Sequence, residues 1–194
     1  MSNLTIGKAI LLLAALAVVS LATTVYLQSD GATQPTAAQA GGVDARVLLR
    51  DASGNPVGVA KLTEDDGEVL VRATVHDLPA GFHGFHVHAN GECVAPFTSA
   101  GGHFNPTAAT HPSHAADMPV LLVNSDGTGE ARFKTDRYDV ADLFDANGSA
   151  LVIHAKPDNY ANIPTDRYDP DPDATTLATG DAGGRIACGV VEGD

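Results

Sequence analysis

The chain has 194 residues, enough for one domain with a sizeable core plus an extension. Its formal net charge is −13, and setting aside the first forty residues, which hold only Lys8 and Asp30 among the charges counted, leaves that balance unchanged. So acidic a chain, with no basic run, sets nucleic-acid binding aside.

In chain order, Lys8 precedes an uncharged, mostly apolar run from Ala9 to Leu27, and a polar stretch rich in Ala, Thr, Gln and Gly follows to Gly42. A run of 19 residues can cross a hydrocarbon core as a helix and is longer than most signal-peptide cores. Ala38-Gln39-Ala40 offers a small-residue cleavage pattern, but it lies more than ten residues beyond the run. Residues 1–28 are therefore read as either a removed signal peptide or an uncleaved membrane anchor, 29–42 as a flexible linker, and 43–194 as the folded domain. No cysteine occurs between residues 1 and 92, which excludes a lipid anchor on cysteine in that segment. Either reading exports the domain to a periplasmic or extracellular setting, with tethering through residues 9–27 in the second.

From Val43 onward the pattern is all-β. Runs with β-branched or alternating character lie at 43–50, 57–62, 67–76, 84–88, 120–124, 129–133, 150–154 and 185–190. Turn signals such as Asp66-Gly67, Asp126-Gly127 and Asn147-Gly148 separate them. Asp126-Gly127 predicts a hairpin, and Asp139 to Asp145 a helical turn. Eight strands predict a closed sandwich or barrel. Two irregular stretches, 89–119 and 155–184, exceed ordinary connections, a length that usually marks functional loops.

The chemistry lies in the histidines. His86 and His88 stand at i and i+2 in a strand-like run and so share one face, within reach of a single ion. His103, His111, His114 and Asp117 fall in one loop, and three imidazoles with a carboxylate complete a tetrahedral set for zinc. His154 ends the apolar run Ala150-Leu151-Val152-Ile153, and His103 is placed to serve either group. Imidazole donors favour copper, zinc, iron or nickel over magnesium or calcium. His76 and His83 are not read as ligands.

Five ordered segments carry a resemblance: Gly84-Phe85-His86-Val87-His88, the run Ser99-Ala100-Gly101-Gly102-His103-Phe104-Asn105-Pro106, His114 with Asp117-Met118-Pro119, the run from Val152 to Asn159, and the run from Thr179 to Val190. Together they resemble the copper/zinc superoxide dismutases. The resemblance implies a Greek-key, immunoglobulin-like β-sandwich or barrel. It implies one copper per subunit on His86, His88, His103 and His154, and one zinc on His103, His111, His114 and Asp117, with His103 as a bridging imidazolate. It further implies that Asp158 orients a histidine of each set, that His83 braces a loop, and that Cys93 and Cys188 form the internal disulfide. Arg185 would position the superoxide anion. Dismutation would yield dioxygen and hydrogen peroxide, with His103 releasing copper and carrying a proton in each cycle. The subunit would work as a monomer or a homodimer.

One departure concerns steering. The segment from Thr165 to Asp173 is acidic and Ala178 stands where many relatives have lysine, which leaves Arg185, Arg167 and Lys156 to attract an anion. The alternative function is a non-catalytic, extracytoplasmic copper/zinc-binding domain of the same fold. A further alternative is an anchored interaction module with structural metals.

Overall fold

The computed structural model describes residues 44–164, 166, 169 and 171–194. The expected signal or anchor at 1–28, the linker at 29–42 and Arg167 lie outside the described residues. Among the described residues, no helix is long and apolar enough to cross a membrane.

In β1 (Asp44–Asp51), Ala45, Val47 and Leu49 point inward and Arg46, Leu48 and Arg50 outward, the two-residue period of a strand with one buried face. Strands β2 (Pro56–Asp65) and β3 (Glu68–Val75) form a hairpin in which Asp65 pairs with Glu68. The two residues between them, Asp66 and Gly67, both take positive φ, as a type I′ turn requires. The remaining strands are β4 (Gly81–His83), β5 (Phe85–His88), β6 (Leu121–Val123), β7 (Gly129–Thr135), β8 (Ala150–His154) and β9 (Arg185–Gly193). All pair antiparallel in the order β4-β6-β7-β3-β2-β1-β9-β8-β5, a crossed, Greek-key connectivity.

The first and last strands of that order are consecutive in the chain, so the backbone at Gly84 joins the two sheet edges and nearly closes a barrel. Gly84 N–H donates to the Lys156 carbonyl and His154 N–H to the Gly84 carbonyl, each at 2.8 Å. A Cβ on Gly84 would lie 2.7 Å from the Ala182 Cβ, so the seam needs a residue without one. This seam also explains the strand count. Eight runs were expected, but the run at 84–88 begins at Phe85, and three residues before Gly84 form a separate short strand that has no alternation to announce it.

Phe85, Leu49, Leu62, Leu121, Leu151 and Ile153 are fully buried, and each such side chain contributes roughly 1.5–3 kcal/mol. The expected helical turn is a 3₁₀ helix, Val140–Phe144, closed by reciprocal bonds between Asp139 and Asp142. A further short helix, α1 (Ala174–Thr179), interrupts the stretch 155–184 that was expected to be irregular. Its sequence, Ala-Thr-Thr-Leu-Ala-Thr, has no apolar stripe. Its start is set locally by Asp173, whose carboxylate accepts the N–H groups of Thr175 and Thr176.

Cys93 and Cys188 form a disulfide with Cα atoms 5.7 Å apart, pinning the 89–119 loop to β9. Closing a loop of 95 residues is worth roughly 4–5 kcal/mol in the chain-entropy account.

Candidate metal centre

Strand β5 is buried on both faces. Phe85 and Val87 enter the barrel core, so alternation turns His86 and His88 outward together, beneath the 89–119 loop. Strand β8 repeats the device, with Leu151 and Ile153 in the core and His154 on the other face. The loop then returns along β5. Ala89 N–H donates to the Gly102 carbonyl at 2.9 Å, and Phe104 N–H to the Val87 carbonyl at 2.9 Å. These bonds lay His103 beside His88, and Val87 N–H, donating to the Ala116 carbonyl at 3.3 Å, lays Asp117 beside His86.

Two clusters result. His86, His88, His103 and His154 each offer a nitrogen, and all four atoms lie within 4.8 Å of one another. His103, His111, His114 and Asp117 do the same, so His103 belongs to both sets. Every residue expected in the two sets is thus brought together. His76 and His83 stand apart from both. His76 is exposed beside Asp77, and His83 is buried between the carbonyls of His154 and Pro79, at 2.7 and 2.8 Å.

The hydrogen bonds assign which nitrogen faces inward. A carbonyl can only accept, so His88 Nδ1–H donates to Gly101 O (3.0 Å) and His154 Nδ1–H donates to Gly183 O (3.1 Å). Both Nε2 atoms are then bare, yet they face each other at 3.3 Å. His86 Nε2–H donates to Asp158 Oδ2 at 2.6 Å, and its buried Nδ1 has no hydrogen-bond partner. His103 Nδ1 meets Asp117 Oδ1 at 2.7 Å and His114 Nδ1 at 3.2 Å, leaving its buried Nε2 without a partner on the first cluster's side. Converging, unpartnered lone pairs in a buried site are costly unless a cation accepts them. The donor set therefore fits a metal ion in each cluster, nitrogen-only in the first and nitrogen with one carboxylate oxygen in the second.

Asp158 links the two. Its Oδ2 accepts from His86, its Oδ1 accepts from His111 Nε2–H at 2.9 Å, and Oδ1 also accepts Tyr160 N–H at 2.6 Å. Both rings consequently turn their Nδ1 atoms inward. His111 Nδ1 lies 2.9 Å from Asp117 Oδ2 without a hydrogen bond between them. Gly180 borders this network so closely that a Cβ there would fall 1.8 Å from Asp158 Oδ1.

Burial sets the protonation states. It pushes His88 down to about 2 and His154 down to about 3, and lowers His86 and His114 as well, keeping these rings in the neutral form that binds metal. Burial acts the same way on His111, but the carboxylates of Asp117 and Asp158 outweigh it and hold that ring up at about 9. Burial alone would raise Asp117 and Asp158. Their histidine partners prevail, and both carboxyls stay below the ordinary carboxylate range.

An open cavity of about 650 Å³ leads to the first cluster, lined by His88, His103, His154, Lys156, Asp181 and Arg185. Arg185 is fixed by two carbonyls of the disulfide-bearing loop, donating Nη1–H to Phe97 O and Nη2–H to Gly101 O, the latter at 2.5 Å. Gly101 O thus serves both Arg185 and His88. Thr175, Ala178 and Thr179 of α1 form one wall, so the position noted as lacking lysine does line the approach. Asp181, unremarked in the sequence, holds its carboxylate there by accepting from Asn159 Nδ2 at 2.8 Å and Thr176 Oγ1 at 2.9 Å. Tyr160 was also unremarked. Its ring lies parallel to that of His111 with centroids 6.5 Å apart, and only its nearness to Asp158 in sequence could have drawn notice.

Comparison with known proteins places these features in context. The profile of the copper/zinc superoxide dismutase (SODC) family matches residues 57–191. A superoxide dismutase (Cu-Zn) of Mycolicibacterium paratuberculosis is 38% identical over 181 residues, covering 84% of this chain and 80% of that one. The corresponding protein of Mycobacterium tuberculosis is 40% identical over 157 residues, covering 71% of this chain and 65% of that one, a little under two thirds of its length. Among solved structures, a double mutant of a SOD-like protein from Bacillus subtilis superposes with a TM-score of 0.61 at 31% identity, over 75% of this chain and 95% of that one.

Proposed function

The chain belongs to the copper/zinc superoxide dismutase family of oxidoreductases, and from that premise we propose that it converts superoxide to dioxygen and hydrogen peroxide outside the cytoplasm. The observation that carries the proposal is the pair of clusters sharing His103, with bare nitrogens converging on the first. Copper would be held by His86, His88, His103 and His154, and zinc by His103, His111, His114 and Asp117. Copper held there would supply a one-electron redox couple, for which one superoxide is the reductant and a second, taking up two protons, is the oxidant, while zinc would be redox-inert.

The chain's own residues do the rest. Arg185, held by Phe97 O and Gly101 O, presents its guanidinium to an anion entering the cavity and stabilises charge on the reduced oxygen species. His103 would carry a proton at Nε2 for delivery to peroxide only while that nitrogen is not serving as a ligand, with Nδ1 kept beside Asp117. Asp158 fixes the tautomers of His86 and His111. Lys156 adds positive charge at the cavity, and Asp181 opposes it. The Cys93–Cys188 disulfide supports an oxidising compartment, and the apolar run at 9–27 supports delivery there.

The test is superoxide consumption by the purified protein, disulfide intact, loaded with copper and zinc or with zinc alone. Fast consumption only with copper is the expected result. No copper-dependent consumption with both sites filled would transfer the assignment to a metal-storing domain.

A further inference from the structure

The loop that carries His111, His114 and Asp117 is gripped from outside by one side chain, and we propose that Arg137 is a positioning residue that sets this loop for zinc before the ion arrives. The inference rests on the zinc half of the reading above. Arg137 Nη1–H groups face three backbone carbonyls, Pro112 O at 3.0 Å, His114 O at 3.3 Å and Asp117 O at 3.5 Å. Two of those carbonyls belong to members of the cluster and the third follows His111. Turning the carbonyls toward one nitrogen turns that stretch of backbone as a unit, and the three side chains converge on the other side.

The arginine is itself well placed to act as a fixed point. Its backbone N–H donates to Thr135 Oγ1 at 3.3 Å, at the end of β7. The next residue, Tyr138, is buried, with its ring edge-on to Phe104 at 6.4 Å and its hydroxyl 4.0 Å from Met118 Sδ. Val140 N–H then donates to Glu64 Oε1 at 2.5 Å. Tyr160 lies parallel to His111, and its hydroxyl accepts Val120 N–H at 2.8 Å. The ligand loop is thus held by the side chain of a residue whose backbone is anchored at the end of β7 and contacted by Tyr160, whose backbone N–H is bonded to Asp158.

Two effects of Arg137 on a cation compete. Its positive charge repels zinc, and its hydrogen bonds preorganise the ligands. Arg137 is an exposed residue, so water and salt screen the repulsion, whereas the alignment acts directly on the backbone of two ligands, His114 and Asp117, and on His111 through its neighbour Pro112. Removing an outer partner of a ligand typically lowers metal affinity about 10–100-fold. Preorganisation therefore prevails.

The experiment compares wild type, Arg137→Gln and Arg137→Lys in the full chain. It reads zinc affinity by competition with a chromophoric chelator, copper retention, and the visible spectrum of cobalt placed in the zinc position. Arg137→Gln is expected to weaken zinc at least about tenfold and to change the cobalt bands, with copper retention altered less than about threefold. Arg137→Lys, a cation without the planar fork, should fall between. Zinc affinity unchanged or tighter in Arg137→Gln would overturn the proposal, as would equal losses at both clusters. If Arg137→Gln does not fold, Arg137→Lys decides, with wild-type affinity overturning the proposal. A wild-type chain that takes up no zinc at all would instead bring down the zinc reading, and this proposal with it.

Discussion

The two halves of the metal centre are built by different means. His86, His88 and His154 ride on β5 and β8, where sheet register fixes each Cβ and a carbonyl or carboxylate fixes each ring. His111, His114 and Asp117 ride on a loop, and their positions depend on Arg137, Tyr160 and Asp158 reaching in from elsewhere. The contrast teaches that the all-histidine half is set largely by secondary structure and the half that includes Asp117 by tertiary support. Only His103 and Asp158 answer to both.

Asp158→Asn tests that contrast most severely, because it removes the group common to both halves. An amide cannot accept from both rings as the carboxylate does, so copper and zinc retention should each fall about 10–100-fold in chelator competition. Loss at one cluster alone would break the picture of a shared brace. Arg185→Ala sharpens the strand-built half. Superoxide consumption per bound copper should fall at least about tenfold while both metals stay bound, and a loss under about threefold would contradict its role.

Much of this division could be read from the chain. The i, i+2 spacing of His86 and His88 needs only the pleat of a strand, and the crowding of His103, His111, His114 and Asp117 within fifteen residues needs only loop length. The resemblance supplied Asp158 and the sharing of His103, for which no local pattern exists. Arg137 escaped notice because its partners lie 20 to 25 residues away and are carbonyls, which leave no mark in a sequence. Helix α1 escaped because its signal is one capping aspartate, and β4 because its extent is set by the seam at Gly84.

A third comparison uses the metal-free protein. His86, His88 and His154 are kept neutral in the fold but protonate near 6.5 when unfolded, so below that pH the unfolded state binds more protons and stability falls toward about 3. His111 has the opposite sign. Its raised value gives stability that is full below about 6.5 and lost as pH rises through about 9. The urea midpoint of the metal-free chain should therefore peak near pH 6.5 and fall as pH rises from there toward about 9. A midpoint that rises from pH 7 to pH 5 would contradict this. In His111→Gln the fall on the alkaline side should shrink, separating the loop's contribution from that of the strands.

The smallest expected effect concerns the cavity. Asp181 is the carboxylate that lines the approach beside Lys156 and Arg185. Asp181→Asn should raise the second-order rate with superoxide about two- to threefold at low salt, with the gain fading as ionic strength rises past physiological values. A gain independent of salt would point to altered positioning of α1 through Thr176 and not to charge.

The central claim is that one imidazole, His103, joins both halves. The direct test is to place Cu²⁺ in both clusters of the purified chain and count spins by electron paramagnetic resonance on cooling. Two copper ions joined through His103 should couple antiferromagnetically, so the signal per copper should fall well below one spin and weaken further at low temperature. Two full, independent copper signals at every temperature would contradict the shared ligand and the mechanism built on it.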